Sequence, residues 1–154
     1  MKKLVIMSDN HGDDEMMAYI KSLEPDGNLY IHCGDSEASD PALLDGWTCV
    51  RGNNDWSLKL PNFVRLTVEG VTILVTHGQY YGFYNREKRM MKDMRKYKAT
   101  VMISGHSHMP LVHREGRYLF VNPGSTSWPR GGTKKAYAVM YVNGKDVQAE
   151  IKEL

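Results

Sequence analysis

Short apolar runs that end abruptly in polar residues recur along this chain, and two stretches between them carry helical spacing. The run "KKLVIMS" reads as a buried strand. "GDDEMMAYIKSL" then reads as a helix, with Asp13, Asp14 and Glu15 as charges at its start and Met16, Ile20 and Leu23 along one face. "NLYIHCGD" and "WTCVRGN" read as two more buried strands, joined through a turn-rich stretch with a short helix around Pro41 to Leu44. That order is the mark of parallel pairing under covering helices. "FVRLTV" and "VTILVTHG" flank Glu69-Gly70 and predict a hairpin. "YNREKRMMKDMRKYK" predicts a second long helix with Met91, Met94 and Tyr97 packing inward, and "TVMISG" another buried strand. The tail, "PLVHRE", "RYLFVN", "AYAVMYV" and "DVQAEIKE", is β-rich, with turns at Gly116 and Asn143-Gly144. The mixture predicts an α/β fold of two packed sheets with helices outside. No repeat or linker interrupts it, so one domain over residues 1–154 is expected.

Composition narrows the classes. A chain of 154 residues, 42% hydrophobic, builds one real core and not two. A net charge of +2 is too small to imply a polyanionic partner by itself. Cys33 and Cys49 sit in apolar segments without C-x-x-C spacing, which argues against a disulfide framework or a thiolate zinc site and for a reducing compartment. The opening "MKKLVIMSDN" mimics a signal peptide, but its apolar run stops at Ser8, and no segment approaches a membrane span. A cytoplasmic protein without membrane contact is expected.

The candidate chemistry lies where strands end. "SDNHG", "CGD", "RGNND", "VTHG" and "SGHSH" close the first, second, third, fifth and sixth predicted strands. In open α/β sheets, loops leaving the carboxyl ends of strands converge on one crevice, so these clusters become neighbours in space. They bring together Asp9, His11, Asp35, Asn53, His77, His106 and His108, oxygen and nitrogen donors without sulfur. Such a set suits Mn²⁺, Fe or Zn²⁺. It is too large for one tetrahedral ion and the right size for two if a carboxylate bridges. Alone, D-x-H, GD and GNND read as ordinary turns or loops and THG as a backbone-bonded histidine, with GHSH the stronger signal; the shared position at strand ends makes them one site.

In "ISGHSHMP", His106 and His108 stand two residues apart. In an extended stretch their side chains leave the same side with roots about 6–7 Å apart, which lets each reach a different ion of a pair about 3.5–4 Å apart. Gly105 lets the backbone approach, and Pro110 fixes the exit.

"D-x-H", "GD", "GN-x-D", "THG" and "GHSH", in that order over residues 9 to 108, with "NPGS" at 122–125, resemble the calcineurin-like metallophosphoesterase superfamily. The small size is similar to its single-domain bacterial and archaeal phosphodiesterase branch, itself similar to the small subunit of the eukaryotic retromer. The resemblance implies a four-layer α/β/β/α sandwich of two mixed β-sheets flanked by α-helices. It implies that Asp9, His11 and His108 hold one divalent ion, that Asn53, His77 and His106 hold the other, and that Asp35 bridges them. Mn²⁺ is the expected ion, with Zn²⁺, Fe and Ni²⁺ as alternatives. Two such cations outweigh the carboxylates and a bridging hydroxide, so the pocket attracts a phosphodiester and supports in-line attack by that hydroxide. Asp35, Asn54 and His106 are read as the catalytic residues. Many members carry a histidine where this chain has Asn54; an amide cannot act as a general acid, so good leaving groups are expected to be favoured.

The remaining polar residues have quieter readings. His32 reads as a hydrogen-bonded core histidine and His113 as a surface residue. Asp55 is either a solvated loop carboxylate or a group orienting a ligand. The basic second helix reads as a solvated face, so a small phosphodiester is the expected partner and nucleic acid is not. Arg130, in "NPGSTSWPRGG", is a candidate phosphate contact. The rival to an enzyme is a protein-binding scaffold with a non-catalytic metal site.

Overall fold

The computed structural model describes all residues 1–154. Its strands are β1 (Lys2–Met7), β2 (Leu29–His32), β3 (Thr48–Cys49), β4 (Phe63–Val68), β5 (Val71–Thr76), β6 (Val101–Ile103), β7 (Pro110–Glu115), β8 (Tyr118–Pro123), β9 (Ala136–Asn143) and β10 (Asp146–Glu153); its α-helices are α1 (Met16–Leu23) and α2 (Arg86–Lys96). A short 3-10 helix covers Pro41–Leu44, as the turn-rich stretch predicts.

The strands form two five-stranded sheets, in the orders β10-β9-β1-β2-β3 and β4-β5-β6-β8-β7. Both are mixed. β1, β2 and β3 run parallel while β9 and β10 pair antiparallel on the other edge; β5, β6 and β8 run parallel, flanked by antiparallel β4 and β7. The predicted hairpin is present, with Glu69 and Gly70 both at positive φ, the conformation a two-residue turn needs to match strand twist.

Period-two alternation sets the layers. Leu4 and Ile6 of β1 point between the sheets, into a core shared with Ile31, Ile73, Val75, Ile103, Val121 and Met140. Val5 and Met7 point outward, where Met17 and Ile20 of α1 cover them. On the second sheet, Leu74, Met102 and Phe120 face outward and pack under Met90 and Met94 of α2. The result is the four-layer α/β/β/α sandwich. No helix is long and apolar enough to cross a membrane.

Three local expectations require correction. α1 begins at Met16, so Asp13, Asp14 and Glu15 precede its first turn, and its buried residues are Met17 and Ile20 while Leu23 is exposed. Asp14 instead accepts hydrogen bonds from Ser39 N–H and Oγ–H, at 3.1 and 2.5 Å, tying the helix entry to the loop after β2. In α2 the inward residues are Met90 and Met94, with Tyr97 exposed. Both errors are rotations of a helical face, because adjacent methionines (Met16-Met17 and Met90-Met91) offer two equally apolar registers.

Candidate metal centre

Because β1, β2 and β3 run parallel in one sheet and β5 and β6 in the other, the loops leaving their carboxyl ends meet at one end of the seam between the sheets. Backbone pairing continues into them. Asp9, His11 and Gly12 donate their N–H groups to the carbonyls of Gly34, Asp35 and Ser36 at 3.0, 3.0 and 2.8 Å, and Gly105 N–H donates to His77 O at 3.1 Å.

The structure brings the seven predicted donors to one place. One set of potential ligand atoms combines Asp9, His11 and His108; another combines Asp9, Asp35 and His77. Asp9 Oδ1 lies 3.3 Å from His108 Nε2 and 3.7 Å from both His11 Nε2 and His77 Nε2. Asp35 Oδ2 lies 3.3 Å from His77 Nε2 and 4.0 Å from His11 Nε2. Asn53 Oδ1 is 3.0 Å from His77 Nε2 and 3.1 Å from His106 Nδ1. The two carboxylates occupy the middle and the histidines the flanks.

Imidazole tautomers are fixed from outside. His77, His11 and His108 donate from Nδ1 to Cys33 O, Glu37 Oε2 and Trp128 O at 2.7, 2.6 and 2.7 Å. In the neutral ring each Nε2 then presents a lone pair inward, the form that ligates a cation. His11 Nε2 and His108 Nε2 face one another at 3.1 Å. Asp9 Oδ2 accepts from Ser8 Oγ–H at 2.5 Å and His106 N–H at 3.1 Å, but Asp9 Oδ1, fully buried, has no hydrogen-bond partner. A buried carboxylate oxygen without a donor, ringed by imidazole lone pairs, is a set of Lewis bases that fits a cation.

The electrostatics run the same way. Burial works against the charge of Asp9, yet His108, His77 and Ser8 hold its carboxyl below the usual range. Burial likewise opposes Asp35, but His77 and the two N–H donors of Asn54 pull it down. Burial opposes a charged His77, while Asp35 and Asp9 raise it. His106 is pushed down to about 4 by burial and by His77 and Arg86 nearby.

The backbone at this site is strained. Asp9, His11, Asp35, His106 and His108 all have positive φ, between 43° and 73°. His106 and His108 thus diverge toward different partners from a tight left-handed turn, closed by Ser107 N–H to Gly105 O at 2.9 Å, and not from the extended stretch the spacing predicts. Glycines make room at close quarters. A Cβ on Gly34 would stand 2.7 Å from His77 Nδ1, and one on Gly105 would stand 2.7 Å from Asp9 Oδ2.

Further residues support the site, and of these Arg86 carries no sequence signal of its own. Asp55 is buried and accepts from the N–H groups of Asp35, Gly52 and Glu37 at 2.8, 2.8 and 2.9 Å, so it orients the site and is not solvated. Asn54 donates to Asp35 from its backbone at 2.8 Å and from its side-chain amide at 3.1 Å. Arg86 donates to Gly78 O, Gly82 O and Gly105 O at 2.7, 3.1 and 3.0 Å, joining the His77 loop to the His106 loop through α2. The "NPGS" segment braces the opposite side: Ser125 Oγ–H donates to Asp9 O at 2.7 Å and Asn122 Nδ2 to Gly105 O at 3.1 Å. Arg130 is exposed and touches the site through its backbone, with its N–H 3.3 Å from His108 O. His32 is a core residue, held between Asn10 Oδ1 at 2.7 Å and Gly34 N–H at 3.0 Å. His113 is half-exposed and pairs with Glu87 at 2.9 Å. Cys33 and Cys49 are free thiols, both buried.

A two-sheet sandwich that gathers histidine, carboxylate and amide donors at the carboxyl ends of its strands defines a metal-binding hydrolase-like class. Residues 1–145 match the calcineurin-like phosphoesterase superfamily domain, and the chain belongs to that family. It is 34% identical over 140 residues to the probable metallophosphoesterase YsnB of Bacillus subtilis, covering 89% of this chain and 82% of that protein. The crystal structure of a predicted phosphoesterase from Streptococcus pneumoniae superposes with a TM-score of 0.89 at 27% identity, covering 97% of this chain and 88% of that one. Vps29 of Entamoeba histolytica, solved in complex with Zn²⁺, shares the fold at 14% identity, with a TM-score of 0.75 and coverage of 97% and 98%.

Proposed function

We propose that this protein is a dinuclear metal-dependent phosphodiesterase. The observation that carries the reading is Asp9 Oδ1, buried and unpartnered among three imidazoles whose Nδ1 protons are already committed elsewhere. Asp9, His11 and His108 would hold one ion and Asn53, His77 and His106 the other, with Asp35 shared; the sulfur-free donor set suits Mn²⁺, Fe or Zn²⁺, of which manganese is the ion proposed. When bound, two such cations supply Lewis acidity to the phosphoryl oxygens and acidify the water that attacks phosphorus in line.

The chain's own residues supply orientation. Asn54 and Asp55 hold Asp35 from its side chain and its backbone, and Glu37 fixes the plane of His11. Asn54 offers an amide and no acidic proton, which favours esters with good leaving groups. A diester is favoured over a monoester because exposed aromatic rings flank both ends of the site: Trp128 stacks on His11 and Phe83 on His106. Two organic arms have somewhere to lie.

The alternative is a protein-binding scaffold around an idle site, as the shared fold with Vps29 invites. Against it stands the backbone strain at five donors, on the order of 1 kcal/mol each, an investment that catalysis uses. The test is hydrolysis of bis(p-nitrophenyl) phosphate and p-nitrophenyl phosphate. Manganese-loaded protein should favour the diester, EDTA should abolish turnover, and Asp35→Asn should lower kcat by at least about 100-fold. A manganese-loaded protein inert toward a broad ester panel would contradict the reading.

A further inference from the structure

Setting aside the chain terminus, the five most exposed large apolar side chains are Tyr84, Trp56, Tyr80, Phe83 and Trp128, at 87, 81, 71, 63 and 62%. All are aromatic, and all lie in segments that follow the carboxyl ends of strands, Tyr80 in a short 3-10 helix (Gln79–Tyr81) and the others on loops. Trp56 follows the Asn53 segment. Tyr80, Phe83 and Tyr84 follow His77, and Trp128 follows β8, which runs parallel to β6. Single exposed apolar residues are ordinary on any surface, but their confinement to the segments that follow the donors' strands is not.

Two of the rings touch the donors. Trp128 lies parallel to His11, with centroids 4.8 Å apart and planes within 11°. Phe83 lies over His106 at 5.6 Å and 18°. Each ring covers a histidine with one face and stays largely exposed. Their backbones are pinned as well: Trp128 N–H donates to Ser125 Oγ at 2.7 Å while its carbonyl holds His108, and Arg86 grips Gly82 O beside Phe83. Rings held at fixed positions beside a reaction centre offer stacking area at little entropic cost.

We propose that Phe83 and Trp128 are specificity residues that stack on the organic arms of the substrate, and that the substrate class is a phosphodiester bearing a planar aromatic group, either an aryl or a nucleobase-bearing arm. The proposal rests on the phosphodiesterase reading above.

The test holds the leaving group constant. Diesters of p-nitrophenol carry methyl, cyclohexylmethyl, benzyl or thymidin-5′-yl as the second arm, and kcat/KM is compared for the wild-type protein and a Phe83→Leu/Trp128→Leu variant of verified manganese content. Benzyl should exceed cyclohexylmethyl, which matches it in bulk but not planarity, by about 5- to 150-fold, the range of one aromatic stack. The double substitution should bring the ratio within about twofold of unity. A thymidinyl ester faster than benzyl would assign the arm to a nucleoside, and the reverse to a simple aryl alcohol. A wild-type ratio near unity, or a ratio unmoved by the double substitution, would overturn the proposal while leaving the phosphodiesterase reading intact. If no ester is turned over, that reading falls, and calorimetry with benzylphosphonate against cyclohexylmethylphosphonate decides the proposal alone: preference lost in the variant supports it, and equal affinities overturn it.

Discussion

At the scale of the residue, histidine serves two opposite purposes within one loop cluster. His11, His77 and His108 each give up an Nδ1 proton to an oxygen outside the site and turn a lone pair inward. His32, a few residues before Asp35, is instead kept neutral by the core: burial pushes it down to about 4 against an ordinary 6.5. Above about pH 6.5 the imidazole is neutral whether the chain is folded or not, so its full contribution is present. As pH falls toward 4, the unfolded chain takes a proton that the folded one refuses, and stability is lost at about 1.4 kcal/mol per pH unit, about 3 kcal/mol in all. Urea denaturation in EDTA between about pH 4.5 and 7 should show stability falling with pH, and His32→Gln should reduce that slope by up to about 1.4 kcal/mol per pH unit, leaving the share of His106, which is likewise held down to about 4. An unchanged slope in the variant would show that His32 titrates normally in the fold.

The donors were legible at this scale because each sits in a short motif at a strand end. Their supporters were legible only in part: Asn54 is marked by its motif, Asp55 is open to two readings and Arg86 reads as part of a solvated face. Asp55 looks like any loop carboxylate in "GNND", and only the folded path of β2 and β3 brings three N–H groups to it. The route by which His106 and His108 part company was also hidden, since an i, i+2 pair in sequence does not reveal left-handed φ at both positions.

At the scale of the element, strands and hairpin were readable from alternation and turn chemistry, whereas helix faces slipped by a residue where methionines are doubled. α2 shows what such a slip conceals. Read as a solvated basic face, it carries at its first position an arginine that is half-buried and bonded to three loop carbonyls. Losing Arg86 leaves the His77 and His106 loops joined by the backbone bond from Gly105 N–H to His77 O, without the side-chain fork that braces both. Arg86→Met should weaken manganese binding at the Asn53–His77–His106 side by about 10- to 100-fold, the usual cost of a lost supporting partner. The Asp9–His11–His108 side should change little. Calorimetric titration separates the two events. Arg86→Lys, which keeps the charge but not the fork of donors, should recover only part of the loss. Equal weakening of both events would point to general destabilisation instead.

At the scale of the whole molecule, the candidate metal centre lies across the seam of the sandwich. β1, β2 and β3 of one sheet contribute Asp9, His11, Asp35 and Asn53; β5 and β6 of the other contribute His77, His106 and His108. Ions held there would tie the two sheets together at one end, which would link binding to global stability. This layout was accessible from sequence because a parallel order of strands dictates where the loops emerge. The rim of aromatic residues was not, because an exposed tryptophan in a Pro- and Gly-rich loop has no periodic context to mark it.

The central claim is that these seven donors hold two catalytic cations. Native mass spectrometry of EDTA-stripped protein titrated with manganese, with diester hydrolysis followed on the same samples, tests it directly. Two equivalents should bind per chain, with turnover appearing as the second is taken up. A chain that binds no manganese, or one fully active with a single equivalent, would contradict the account.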